Sequence, residues 1–224
     1  MLLSLLMTTM MSWIGVTSAE LETEQTVSVW AGHQATFGKR RLPLRGEVTT
    51  RTDSYMIARL SRRDGVFRLE QTACRMDFAK LAGATIDIDV ASLPTTQMFF
   101  VEADGEEGLT GRSLVSWSSE DIDEDGNPGM TIRVDAPVCS GELYVSNRSI
   151  TEAEASLSSD RLEGSGTVDV RQEILGSKGA CLGAVAKNTS ERNEVVFAYA
   201  RVEADATCES LVRKASWPAI RGKA

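Results

Sequence analysis

A period of two runs through this chain, and it restricts the fold more than any other feature. Val27, Val29 and Ala31 alternate with polar neighbours, as do Met56, Ala58 and Leu60. Phe67 and Leu69 resume the pattern after Arg63-Asp64-Gly65, a short loop whose glycine suits a β-hairpin. Successive side chains of a strand point to opposite faces, so alternation of this kind marks strands with one face buried. The clearest hairpin covers 51–75, and further strands are expected over 98–101, 111–117, 130–135, 141–149, 153–157, 166–174 and 194–202. Helical signals are confined to 87–93, one short turn ahead of Pro94, and 208–217, stopped by Pro218. Many short alternating segments divided by turn signals specify an all-β fold, an antiparallel sandwich or barrel with one or two short helices, and we expect the β-barrel.

The chain opens with residues 1–19, which carry no charged side chain, hold an apolar run from Leu2 to Ile14 and end in Thr17-Ser18-Ala19. That pattern reads as a cleaved secretory signal peptide, leaving 20–224 as a single β-barrel domain. No later apolar run is long enough to span a bilayer as a helix, so no membrane span is expected after cleavage, and the location is secreted or periplasmic. Cys74, Cys139, Cys181 and Cys208 are an even set without a Cys-x-x-Cys pair, which in an exported chain favours two disulfides over a thiol or zinc site. Three connectivities are open; we expect Cys74 with Cys139 and Cys181 with Cys208, the second pair bracketing the 194–202 strand. A formal net charge of −8 argues against nucleic acid as a partner.

Alternation also bears on function, because a closed sheet sends every second side chain inward. An eight-stranded barrel is either filled by those side chains or able to hold one small ligand. Gly46, Val48, Thr50, Thr52 and Ser54 form a small and polar set on one face, which would leave a wetter interior than a packed core. In strand number and size the chain resembles the calycin group of lipocalin-like and streptavidin-like barrels, which implies a small apolar or amphipathic ligand. It departs from lipocalins in lacking their Gly-x-Trp signature, since Trp30 is preceded by Val29 and followed by Ala31-Gly32.

The stretch Asp121-Ile122-Asp123-Glu124-Asp125-Gly126-Asn127-Pro128-Gly129 places three aspartates at alternate positions ahead of a glycine. Carboxylates so spaced can converge on one hard cation, and calcium takes oxygen ligands of that kind. The loop resembles the first half of an EF-hand or dockerin calcium loop, which implies Asp121, Asp123 and Asp125 as ligands, Gly126 in a positive-φ turn and the Asn127 carbonyl as a further ligand. The departure is at the twelfth position, where Ile132 stands for the bidentate Glu, and the flanks read as strands. A remaining ligand must then come from elsewhere, with Glu120, Asp135 and the 102–107 loop as candidates, and affinity should fall near the weak extracellular end at about 10⁻⁴ to 10⁻³ M. A solvated acidic turn is the competing reading, because Asp, Asn, Gly and Pro are ordinary turn residues.

The chain is also similar to exported bacterial barrel proteins of unknown role that carry an Asp-x-Asp-Gly-x-Pro-Gly-like loop, a strand, and a Gly-Glu-x-Tyr-Val segment. The matching residues are Asp123 to Gly129, Thr131 to Val134, and Gly141-Glu142-Leu143-Tyr144-Val145. Catalytic signals are poor: His33 is the only histidine, nothing in sequence sets a serine beside it, and no Gly-x-Ser-x-Gly elbow is present. The expectation is an exported, calcium-stabilised barrel binding a small molecule or lipid. The alternative is a filled barrel acting as an extracellular structural or protein-interaction module, with a hydrolase a distant third.

Overall fold

The computed structural model describes residues 27–42, 46–80, 83–103, 108–137, 139–179 and 181–220; the expected signal peptide, 1–19, lies outside them. Ten strands form in chain order: β1 Ser28–Leu42, β2 Gly46–Arg63, β3 Val66–Phe78, β4 Thr85–Ile88, β5 Thr96–Glu102, β6 Leu109–Trp117, β7 Met130–Asp135, β8 Gly141–Leu157, β9 Arg161–Lys178 and β10 Thr189–Arg201. All pair antiparallel, and eight of them close a barrel in the cyclic order β1-β2-β3-β5-β6-β8-β9-β10. Each barrel strand therefore neighbours the next barrel strand in sequence, an up-and-down meander consistent with the calycin plan. Among the described residues no helix is long and apolar enough to cross a membrane.

The expected hairpin is present and longer than its sequence signal, with Arg63 paired to Val66 across Asp64 and Gly65. Both turn residues have positive φ, 50° and 79°, as the tight hairpin turn that matches strand twist requires. The segments 141–149 and 153–157 are one continuous strand, β8, because Ile150 and Thr151 keep the ladder with β9 unbroken. The 87–93 segment divides differently from expectation: its front joins β4, and only Val90–Ser92 turns, capped by Asp89. At the C-terminus α2, Cys208–Lys214, is set by a capping box between Thr207 and Ser210 and stopped by Ala215 at φ 48°. A short helix without a sequence signal, α1 Leu182–Val185, follows β9.

The two remaining strands extend one side of the wall. β6 and β7 both pair with the same edge of β8, Trp117 opposite Asn147 and Met130 opposite Val145, so they lie in one line with the loop 118–129 inserted between them. β4 then adds to the outer edge of β7.

The barrel interior has two unlike halves. At its base Trp30, Leu60, Leu69, Met98, Phe100, Leu162, Phe197 and Tyr199 interlock in one apolar cluster. Toward the other end the inward positions mix polar Gln34, Thr36, Thr50, Thr52, Ser54, Ser149, Gln172 and Asn193 with apolar Val48, Met76, Phe78 and Val170, all half-buried. That polar half includes Thr50, Thr52 and Ser54 of the face singled out in sequence. Gln71 and Tyr199 mark the junction, with the Tyr199 hydroxyl donating to Gln71 Oε1.

Both expected disulfide pairings are corrected. Cys74 bonds Cys208, and Cys139 bonds Cys181. Cys74 is the extra residue where β3 slips register against β2, between the Met56–Ala73 and Tyr55–Arg75 pairs, and it meets the first residue of α2. Cys139 precedes β8 and Cys181 follows β9, and since Glu142 pairs with Lys178 the two cysteines reach the same end of one ladder. The expected Cys181–Cys208 pair would have to join residues beyond opposite ends of β10, whose 13 residues span roughly 40 Å.

Candidate metal centre

The loop 118–129 departs from the wall after Trp117 and returns at Met130, with only Ser146 of β8 between the two points of attachment. Such a loop needs a closed neck, and two backbone bonds supply it: Ile122 N to Gly129 O and Gly129 N to Glu120 O, both 3.1 Å. Gly129 is the residue the neck cannot replace. Its φ is +77°, and a Cβ there would lie 2.3 Å from the Val145 carbonyl oxygen. Trp117 fixes the other side by donating from Nε1 to the same Val145 carbonyl at 3.0 Å.

Within the neck, side-chain carboxylates take over the backbone amides that no ladder can satisfy. Asp121 accepts from the amides of Asp125 at 3.2 Å and Gly126 at 2.8 Å. Asp125 Oδ1 accepts from both the amide (2.9 Å) and the side-chain nitrogen (3.0 Å) of Asn127. Asp123 Oδ2 accepts from the Thr131 amide at 2.9 Å, across the start of β7. Gly126 has φ +86°, the positive value expected of the sixth loop position.

The result is convergence: Asp121, Asp123 and Asp125 each present a carboxylate oxygen within 4.8 Å of the others, as the alternate spacing suggested. Asn127 does not join them through its side chain, which is turned to Asp125. Asp135 serves Ser140 at the far end of β7, and residues 104–107 of the proposed 102–107 contribution lie outside the described set.

Two oxygens at this spot have no hydrogen-bond partner among the described residues although solvent does not reach them, Asp123 Oδ1 and Thr131 Oγ1. Thr131 is 1% exposed. A buried anionic oxygen without a donor costs more than an exposed one, and an ion or water is the ordinary resolution. Asp125 is held below the usual carboxylate range first by the Thr131 side chain and then, against the small cost of burial, by Asn127. The Thr131 hydroxyl thus lies close to Asp125 without a hydrogen bond of normal geometry. Three carboxylate oxygens and one neutral hydroxyl are hard donors suited to calcium and to no soft metal. Sequence reasoning missed Thr131, because only the bend of the loop back onto β7 brings that position to Asp123.

His33 belongs to a different place. Its Nε2 lies 2.9 Å from Asp53 Oδ1 and its Nδ1 3.3 Å from the Pro218 carbonyl, so both ring nitrogens are engaged. The ring stacks on Tyr55, which in turn contacts Trp217. This arrangement clasps the C-terminal segment to the outer wall and brings no serine hydroxyl to the ring among the described hydrogen bonds. Comparison with protein-family models, with curated proteins and with solved structures returns no match.

Proposed function

We propose that this protein is an exported, calcium-stabilised barrel that binds a small molecule through the polar half of its interior. The observation that carries the reading is the seat of the acidic loop, which holds three converging carboxylates with two buried oxygens lacking a protein partner, in the strand line that walls that half. A cation there would neutralise mutual repulsion, satisfy Asp123 Oδ1 and Thr131 Oγ1, and fix the wall where β6 passes into β7. The ligand would be small and amphipathic: the apolar half is occupied by its own side chains, whereas Thr, Ser, Gln and Asn line the rest together with Val48, Met76, Phe78 and Val170. The same occupied base favours a second reading, in which the barrel is a filled scaffold and recognition is confined to its outer surface.

The test is a thermal melt of the oxidised protein in 10 mM calcium and in chelator, with Asp123→Asn as control. With a dissociation constant of about 10⁻⁴ to 10⁻³ M, binding to the native state alone adds about 1.4–2.7 kcal/mol. For a domain of this size that raises the midpoint by about 3 to 10 °C. Terbium luminescence sensitised by Trp117, beside the loop neck, should appear in the wild type and fall in the variant. A midpoint indifferent to calcium, with no terbium signal, would return the aspartates to a solvated turn.

A further inference from the structure

On the outer wall, β5, β6 and β8 build a groove that none of the preceding roles uses. Strand register puts Phe99 opposite Arg112, and Leu114 opposite Ile150, with Arg148 next along β8 on the same face. Phe99 is 46% and Leu114 53% exposed, large apolar side chains adjacent to each other where a free barrel wall would ordinarily carry polar ones. These side chains and both arginines line an open recess of about 600 Å³, the size of a small-molecule site.

The charge around it is uneven for a chain of net charge −8. Arg148 stands directly opposite Arg171 of β9, a like-charge pair that a sheet does not favour, and neither makes an ion pair among the described residues. The acids diagonal to Arg148 on β9 are Asp169 and Glu173, and Asp169 is turned to Arg192 at 3.7 Å. Arg112 has only Glu152, at 4.0 Å and with both side chains well exposed, a contact of little strength. Two weakly neutralised guanidinium groups thus flank an apolar floor. We infer that this groove binds a small anionic amphiphile, its acid group between Arg112 and Arg148 and its apolar body on Phe99, Leu114 and Ile150.

The probe is 8-anilinonaphthalene-1-sulfonate, followed by fluorescence, with its uncharged relative N-phenyl-1-naphthylamine as the comparison. The wild type should bind the sulfonate in preference to the neutral compound, and rising salt should weaken that binding. Arg112→Gln/Arg148→Gln should lose at least tenfold in sulfonate affinity while keeping its affinity for the neutral compound and its melting temperature. Leu114→Asp, a change at an exposed position, should abolish binding of both compounds. Equal sulfonate binding by the wild type and the double arginine variant, or no sulfonate binding by the wild type, overturns the inference. Calcium enters neither result, and a salt-sensitive loss confined to the arginine variant is not produced by dye bound in the barrel interior, so the inference stands or falls separately from the reading above.

Discussion

The two halves of the barrel are held by different means. At the base the cross-links are absent and the packing is complete: Leu69 and Phe100 are fully buried, and rings of Phe100, Phe197 and Tyr199 follow one another across the interior. In the other half polar and apolar side chains share the interior, many of them only half-buried, and the fastenings are on the outside. Cys74–Cys208 ties β3 to α2, Cys139–Cys181 ties the ends of β8 and β9, and the acidic loop closes the β6–β7 line. The Tyr55–Trp217 contact clasps the C-terminal segment there as well. A barrel can thus leave part of its lumen partly polar where disulfides and an outer aromatic clasp supplement the packing inside.

Breaking the outer fastenings gives the largest expected effect. Cys74 and Cys208 are 134 residues apart, and in the chain-entropy account closing so long a loop contributes about 5 kcal/mol. Cys74→Ser/Cys208→Ser should therefore lower stability in urea by several kcal/mol. Hydrogen exchange should show faster opening of β3 beyond Ala73 than of β5, whose strand lies in the packed base. Uniform loss of protection through both halves would erase the distinction.

The packed base gives the next effect. Phe100→Ala removes a fully buried ring and should cost about 3–5 kcal/mol. Thr52→Ala, at an inward but half-buried position of the polar half, should change stability by less than about 0.5 kcal/mol. The pair of denaturation curves sharpens the comparison directly; a Thr52 effect as large as that of Phe100 would mean the polar half is packed like the base.

At the junction Tyr199 meets both regimes. Its phenol is fully buried, burial pushes its pKa well above the usual value, and its hydroxyl donates to Gln71. Tyr199→Phe would leave the buried Gln71 amide oxygen short of that donor, at a cost of about 1–3 kcal/mol. Adding Gln71→Leu should recover much of the loss, since removing both partners of a buried bond is cheaper than removing one. Equilibrium unfolding of the single and double variants measures that coupling.

How much of this was legible in the chain follows from the range over which each signal acts. Alternation is local, so the strands and the all-β plan were readable from residues such as Met56, Ala58 and Leu60. The acidic loop was readable too, because Asp121, Asp123 and Asp125 carry their geometry in their spacing. The disulfides were not, since their pairing depends on a register slip at Cys74 and on which strand ends coincide, both set by long-range ladders. For the same reason nothing marked Thr131 as a neighbour of Asp123, or Arg112 and Arg148 as the two sides of one groove. The division of the interior was half visible: the polar set on β2 was plain, but its opposition to an apolar base needed all eight strands in register.

The smallest effect concerns the outer clasp and is read against pH. Asp53 accepts from Arg51 through Nε at 2.8 Å and Nη2 at 2.7 Å, and lies 2.9 Å from His33 Nε2. Burial pushes its carboxyl up, but the hydrogen bonds from Arg51 and then His33 outweigh that and hold it below its ordinary value. The unfolded chain therefore binds the proton more readily than the native one. The stabilisation is complete above the unfolded carboxylate value of about 3.9 and is lost as pH falls through the lower native value. Melting temperature measured from pH 7 down to pH 2 should show the wild type ahead of Asp53→Asn at neutral pH, with the lead shrinking below about pH 4. If the two curves instead run parallel throughout that range, Asp53 is not what makes the clasp acid-sensitive, and the Tyr55–Trp217 contact, the Arg161–Ala219 hydrogen bond and the disulfide at Cys208 hold the C-terminal segment without it.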